Sequence, residues 1–416
     1  MDQSHANDHK KLGKELDLFV FSDTVGKGLP MWTPKGATVR RILERFIVDE
    51  ELKRGYLHVY TPDIAKLELY KKSGHYPYYK DSMHAPITID DEQFMLRPMT
   101  CPHHFELYLS KPHSYKELPI RYAELAKLYR YEQSGELSGL ERVRSFTLAD
   151  AHIIARKEQT FEEINAVLDL IEYVTDKLGL KYRNDADQKG DFYYRLSLGN
   201  RKDDKKYYKD DASWNQAETL LKDVLNKRKI VYKEAADEAA FYGPKIDIQM
   251  WNANGKEETA FTVQYDFVMP KRFNLSFVNE QGEEEQPIVI HRSSIGCIER
   301  VMAFLIEKYA GAFPMWLAPV QVVLLPIADR HLEYAKEVQK ELLNADIRVE
   351  VDGSNETLQA KIRNATLQKV PVMGIIGDKE ITSKVISVRT RAGENLVTQD
   401  INQFLNKVKE NIDKKI

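Results

Sequence analysis

Cysteine is scarce. The 416 residues hold two, Cys101 and Cys297, too few for a disulfide framework and in keeping with a reducing compartment. Net charge is also small, -3 at pH 7, so no global basic field draws in nucleic acid. A nucleic-acid partner would have to be met by local patches or by shape. No apolar run approaches the roughly eighteen residues of a membrane span. The opening, MDQSHANDHKKLGKELDLF, has neither a signal-peptide core nor the acid-poor character of a transit peptide, so a cytoplasmic protein is the expectation. Phosphate cradles are missing too: there is no G-x-x-x-x-G-K-[ST], and VGKGLPM lacks the third glycine of a dinucleotide fingerprint. A nucleotide would have to be held by arginines on a sheet.

What is present describes an ordinary globular chain, 43% hydrophobic and 30% charged, long enough for two or three domains. Residues 1–12 read as a polar, frayed tail. Residues 36–54 carry Val39, Ile42, Leu43, Phe46 and Ile47 at helical spacing, with Gly55 as the stop. YLHVYTP reads as a strand ending at Pro62. A second long helix opens on a capping box, Thr160 to Glu163, and closes at Gly179. The runs QFMLRP, LPIRYAELAKLYRYE, RSFTLADAHII, KIDIQMW, ETAFTVQYDF and PIVIHRS follow one another mostly without helices between them. That order predicts an α+β domain built on an antiparallel sheet, over 13–312. After GAFPMWLAP, strands and helices alternate from VQVVLLPI to VPVMGIIG, which predicts a smaller, parallel α/β domain over 313–416. The charge runs NRKDDKKYYKDD (200–211) and NEQGEEEQ (279–286) read as solvated loops.

One stretch asks for an anion. RYEQSGELSGLERVRSFTLADAHI (130–153) crowds Arg130, Arg142 and Arg144 around Gly135 and Gly139. Arg130 and Glu132 share one face of a strand, and Arg144 and Phe146 share one face of the returning strand. Such a face suits a guanidinium forked onto phosphate, a carboxylate accepting from an amine and a ring stacked on a base. A surface hairpin with some arginines fits the same residues. Cys101, His152 and His291 are too far apart for spacing to say whether they are ligands or core groups.

The order Pro62, RYE…RVRSF and IGCIERVMAFL resembles the three motifs of class II aminoacyl-tRNA synthetases. KSGHYPYYKDSM, RPMTCPHH, SGELSGLERVRSFTLADAHI, AFYGPKIDI, TVQYDF, IHRSSIGCIER and FPMWLAPVQVV narrow the resemblance to the threonyl-tRNA synthetase family, from about Lys11 to the C-terminus. The resemblance implies a catalytic domain with a six- to seven-stranded antiparallel sheet, an anticodon-binding domain, and ATP-dependent joining of L-threonine to tRNA(Thr) through an adenylate. It implies that Arg130 meets the α-phosphate and that Arg142 and Arg300 meet the γ-phosphate. Glu132 would read the adenine amine, Phe146 would cover its ring, and His75 would complete the ATP site, with Mg2+ accompanying the triphosphate. Lys245 and Gln264 would join Arg130 and Arg300 in catalysis, while Arg144 is structural. Mutual repulsion of the arginines should hold the loop open without ATP.

By the same resemblance, Cys101, His152 and His291 hold a Zn2+ with an open position for threonine, whose ammonium meets Asp150 beside Met99 and Tyr242. A site demanding the hydroxyl oxygen rejects valine by roughly 10⁴ or more, whereas serine lacks only a methyl group and should leak through. No editing region precedes Lys11, so uncleared Ser-tRNA is expected. HANDH (5–9) has an editing-like spacing but no matching C-x-x-x-H. Asn355, Arg363, Glu380 and Arg389 match the anticodon-reading positions, where polar and cationic groups meet single-stranded bases. A homodimer with the Pro62 region at its interface also follows from resemblance. Two departures stand out: Thr259-Ala260-Phe261 where the family carries Gln-Cys-Gly, altering a wall of the amino-acid pocket, and the charged run at 200–211. A paralogue stripped of chemistry would lack Arg130, Arg300 or a zinc ligand, and all are present.

Overall fold

In the computed structural model, which describes residues 7–184, 190–203, 205–395 and 398–415, contacts divide the chain into two units. One comprises Phe21–Pro30 and Glu44–Ala303, the other Met1–Val20, Met31–Leu43 and Phe304–Ile416.

The first unit is organised by a sheet of β1 (Leu57–His58), β2 (Ile120–Tyr129), β3 (Ser145–Ala155), β4 (Phe192–Ser197), β5 (Tyr232–Ala235), β6 (Lys245–Trp251), β7 (Glu257–Asp266) and β8 (Ile288–Ser293). Their order is β5-β4-β6-β7-β8-β3-β2-β1. The six central strands pair antiparallel. The outer pairs, β5 with β4 and β1 with β2, are parallel. The expected antiparallel sheet is therefore widened by two short parallel edges. Only Leu57–His58 of the run YLHVYTP enters the ladder. Strand β4 buries Phe192, Tyr193 and Tyr194 in succession, which hides it from a period-two reading.

Helix α1 (Cys101–Tyr108) contributes to the site below, and α2 (Thr160–Lys177) lies against β7 and β8. In α2, Ile164, Val167, Leu168, Ile171 and Val174 recur at three- and four-residue steps and are all buried. Its start differs from the expected capping box. Gln159 is the N-cap, Thr160 Oγ1 donates back to Lys157 O at 2.8 Å, and Glu163 is held by Arg121 at 2.6 and 2.7 Å. The 200–211 run, apart from residue 204, which lies outside the described residues, is more than a solvated loop. Tyr207 is buried, and Asp210 caps α3 (Asp211–Lys227) by accepting from Ser213 N at 3.1 Å. Its charges serve a helix start.

The second unit's sheet contains β9 (Val322–Pro326), β10 (Val349–Val351), β11 (Val372–Ile376), β12 (Val385–Thr390) and β13 (Gln399–Asp400), in the order β10-β9-β11-β12-β13. The first three strands are parallel, as the alternation predicts, but β12 and β13 add antiparallel, so the sheet is mixed. Alternate residues of β9 feed its two faces. Val322 and Leu324 pack with α4 (Leu332–Asn344) and α6 (Ile401–Lys414), while Val323 and Leu325 pack with Ala365 of α5 (Leu358–Leu367). The stretch expected to fray carries a helix, His9–Glu15, whose buried His9 Nδ1 lies 2.7 Å from Glu307 Oε1. His5, the other half of the H-x-x-x-H spacing, lies outside the described residues.

In the first unit, fully buried Arg292 is answered by Glu51, 2.5 Å away and also buried, and its guanidinium sits 4.1 Å from the centre of the Tyr56 ring. Burial alone would push the Glu51 carboxyl up, but Arg292 and a bond from His58 hold it below its ordinary 4.5. A carboxylate depressed in this way contributes stability above its unfolded pKa and loses it as pH falls through the folded one. Glu51→Gln should therefore cost about 3–5 kcal/mol at pH 7. In denaturant titrations, the gap to the parent should close progressively on acidification below pH 4.5; a gap independent of pH would refute the pairing.

Candidate active site

The side-chain alternation of β3 sends Phe146, Leu148, Asp150 and His152 to one face, where they line a cavity of about 210 Å³ inside the first unit. Strand β7 adds Thr262 and Gln264, β8 adds His291 and Ser293, and α1 opens on Cys101 at the same cavity. Strands β3 and β8 pair with His152 directly opposite His291, and the two rings meet edge-on at 4.6 Å. Residues remote in sequence thus become neighbours through register.

Ligand atoms of Cys101, His152 and His291 all lie within 4.8 Å of one another, and all three residues are buried. His152 Nε2 is buried without a hydrogen-bond partner, while its Nδ1 lies 2.8 Å from His104 Nδ1. His291 Nε2 is held by Asp266 Oδ2 at 2.6 Å, which leaves Nδ1. Burial pushes the His152 pKa far down and the Cys101 thiol far up. A neutral imidazole is ready to ligate, and a thiol in this setting becomes a thiolate when a cation compensates it. One soft and two borderline donors around an orphaned nitrogen fit a tetrahedral divalent metal with a vacant corner.

The arginines sort into three kinds. Arg130, one residue past the end of β2, donates to Met99 Sδ at 3.1 Å and lies 5.1 Å from the Phe146 ring centre. Arg300 donates to Glu141 O at 3.1 Å and Thr259 O at 2.7 Å. Both lean on neutral acceptors and line one cavity, and burial followed by the charge of Arg300 push the Arg130 pKa down. Two crowded guanidinium groups of this kind favour an anion between them. Arg142 is different: its Nε lies 2.8 Å from Glu132 Oε2 and its Nη2 3.7 Å from Glu136. The expected repulsion that would hold the loop open is absent, because acidic residues of the loop neutralise Arg142. Arg144 is a brace, donating to Glu132 O at 3.0 Å and Lys27 O at 3.4 Å.

The remaining expected residues are dispersed around this centre. Tyr242 stacks on His291 at 4.8 Å and donates to Gln264 Oε1 at 2.6 Å, and burial pushes the Asp150 carboxyl up. His75 and Lys245 are not among the residues lining the cavity. His75 is buried beside Ser73, with a pKa pushed down to about 3, mainly by burial. Lys245 is paired with Asp247, although the register sets it opposite Gln264. Thr259, Ala260 and Phe261 do line the cavity, and the Thr259 carbonyl is an acceptor for Arg300. In the second unit, Glu380 Oε1 accepts from Ser387 Oγ at 2.7 Å, and Arg389, two residues along β12, donates to Asn395 at 2.7 Å. Asn355 and Arg363 are exposed, on the loop after β10 and on α5.

Sequence reasoning passed over Asp266, His104, Glu124 and Gly28. Asp266 stands two residues after Gln264, and His104 one helical turn after Cys101, so spacing held a signal for each. Gly28, at φ +77, accepts from Arg144 N at 2.8 Å, and a Cβ there would meet Leu137 at 2.8 Å. That left-handed φ favours glycine, and it lets the segment around residue 28 lie against the arginine loop.

Residues 85–309 match the family model described as tRNA synthetase class II core domain (G, H, P, S and T), and residues 321–411 match an anticodon binding domain. The chain is 48% identical over 415 residues to a threonine--tRNA ligase of Anoxybacillus flavithermus, covering 100% of this chain and 63% of that relative. It is equally 48% identical over 413 residues to one of Listeria monocytogenes serotype 4a, covering 99% of this chain and again 63% of the relative. The chain thus spans less than two thirds of the length of these curated relatives. The crystal structure of the RNA binding domain of threonyl-tRNA synthetase from Cryptosporidium parvum superposes with a TM-score of 0.90 at 35% identity, covering 97% of this chain and 98% of that one.

Cobalt(II) added to the metal-free chain should produce a thiolate-to-metal charge-transfer band. Cys101→Ser should abolish it, and His152→Ala should weaken cobalt binding by about a hundredfold or more. A band that persists in Cys101→Ser would place the metal elsewhere.

Proposed function

The chain belongs to the class II aminoacyl-tRNA synthetases, within the threonyl-tRNA synthetase family, and from that membership we propose that it joins L-threonine to tRNA(Thr) through a threonyl-adenylate. The observation that carries the reading is the cavity itself, where two cations hydrogen-bonded to neutral acceptors share the lining with a buried thiol and two imidazoles. The first half suits a polyphosphate and the second an amino acid that brings its own ligand atoms.

The threonine carboxylate would attack the α-phosphorus of ATP, forming one P–O bond as the bond to the β-phosphate oxygen breaks and pyrophosphate departs. Because that carboxylate is already the nucleophile, the chain's task is alignment and charge stabilisation. Arg130 would meet the α-phosphate, Arg300 the γ-phosphate, and Mg2+ would accompany the triphosphate. Phe146 would cover the adenine, Glu132 would accept from its amine, and Arg142, released from Glu132, would reach the γ-phosphate. Asp150 would receive the substrate ammonium, with Met99 and Tyr242 shaping the pocket. Gln264, which lines the cavity, and Lys245, paired opposite it, would join Arg130 and Arg300 in catalysis, and His75 would complete the ATP site. Zn2+ held by Cys101, His152 and His291 would supply an open, Lewis-acidic position for the amino and hydroxyl groups. A terminal tRNA hydroxyl would then take the acyl group and release AMP, while Asn355, Arg363, Glu380 and Arg389 read the anticodon.

A second copy of the chain is the partner that suits the sheet edge. Around β1, Leu52, Leu57 and Ile64 are exposed, and Tyr60 is 94% exposed, an apolar strip supporting a homodimer. Two free cysteines support a cytoplasmic setting. No described helix is long and apolar enough to cross a membrane.

ATP–pyrophosphate exchange tests the reading. Threonine should drive it, and serine should do so less well by about 10–200-fold. Valine should be at least about 10⁴-fold poorer, since a site built for the oxygen rejects its absence. Arg130→Ala or Arg300→Ala should each cost about 10²–10³-fold, and stripping the metal should end the exchange. Full-rate exchange from the stripped chain would overturn the metal's role, and exchange indifferent to threonine would overturn the function.

A further inference from the structure

His104 is a buried histidine that the reading above leaves without a task, and its surroundings prescribe one. It lies at the third position after Cys101, so α1 presents the thiol and this imidazole on one face. Its Nε2 lies 3.2 Å from Glu124 Oε2, and its Nδ1 lies 2.8 Å from His152 Nδ1. Glu124 is held in turn by Thr61 Oγ1 at 2.7 Å and by Arg97 Nη1 at 2.9 Å. Arg97 bonds Thr61 Oγ1 at 2.7 Å and pairs with Asp63 at 3.0 Å.

With Glu124 a carboxylate and both imidazoles uncharged, proton bookkeeping along this column has one consistent solution. A carboxylate only accepts, so the proton of a neutral His104 sits on Nε2 and points at Glu124. His104 Nδ1 is then a lone pair, and His152 must carry its own proton on Nδ1 to donate to it. That leaves His152 Nε2 bare, and it is the ring nitrogen of the pair that is buried without a partner. The ring cannot turn away easily, because it meets His104 at 4.8 Å, His291 at 4.6 Å and Phe105 at 5.7 Å, all edge-on.

We propose that His104 is a positioning residue for the cation site: backed by Glu124, it fixes His152 in the tautomer whose Nε2 joins Cys101 and His291 as a ligand. The proposal rests on the reading that these three residues hold a metal. It differs from the support given to His291, where a carboxylate touches the ligand directly. On the His152 side a neutral imidazole stands between carboxylate and ligand, so His104 sets direction while the negative charge stays one ring away.

The test uses the full chain. Zinc affinity is measured by competition with a chromogenic chelator, and the cobalt(II) absorption spectrum is recorded, for the parent, His104→Phe and His104→Gln. Phenylalanine keeps a ring in place but removes the acceptor, so zinc should bind about 10–100-fold more weakly and the cobalt bands should shift. The amide oxygen of glutamine can accept the Nδ1 proton and should restore most of the affinity, a rescue that a merely space-filling role would not predict. Long-range proton–nitrogen correlation on the metal-free parent should find the His152 proton on Nδ1, and this measurement needs no variant to fold. Finding the proton on Nε2, or finding that a zinc-binding parent and His104→Phe have the same affinity and cobalt spectrum, would overturn the proposal alone. A parent that takes up no zinc would overturn the metal reading and this proposal with it.

Discussion

The pairing of β3 with β8 sets His152 opposite His291, and the site depends on that register. Strand side chains alternate with a period of two, so slipping one strand by a single residue would send its half of the site to the other face. The same alternation carries Asp150, Leu148 and Phe146 away from the imidazoles toward Arg130. One strand face therefore orders the whole cavity, with ligand atoms at one end and a ring beneath a guanidinium at the other. The antiparallel neighbours on both sides and α2 packed on β7 and β8 keep that register in place.

Much of this was legible in the sequence because it is local. Strand-like runs set off by turn residues marked β2, β3, β6, β7 and β8, a start and a stop signal marked α2, and the change of style after Phe313 marked the strand–helix alternation that follows. The crowding of arginines around Gly135 and Gly139 raised the expectation of an anion site, and two of them, Arg130 and Arg142, do line the cavity. What escaped depends on contacts remote in sequence. Spacing could place Asp266 and His104 on faces shared with Gln264 and Cys101, but not say that Asp266 meets His291 or that Glu124 meets His104. Strand β4 was hidden because both of its faces are covered. The pairing of Arg142 with Glu132 was missed because a like-charge argument counts the arginines and overlooks acids that the loop folds back. The candidate metal donors could be named only through family resemblance, since their intervals are far longer than a short motif spans.

The buried charges follow two policies. Arg292 and Arg97 are answered by carboxylates, Glu51 and Glu124, although Arg292 also lines the cavity. Arg130 and Arg300 are left with neutral acceptors, a costly arrangement inside a cavity that an incoming anion relieves.

Arg142 belongs to neither class, since its partner Glu132 is itself a cavity residue. Each occupies the other's place, so a ligand needing both finds the molecule competing against it from within. Its apparent affinity is the intrinsic affinity scaled by the fraction of molecules in which the two have parted. Dissolved salt, by screening that pair through its exposed partner Arg142, enlarges the receptive fraction even as it weakens the attraction of the ligand's own charges. Ionic strength therefore acts on this loop with two opposite signs.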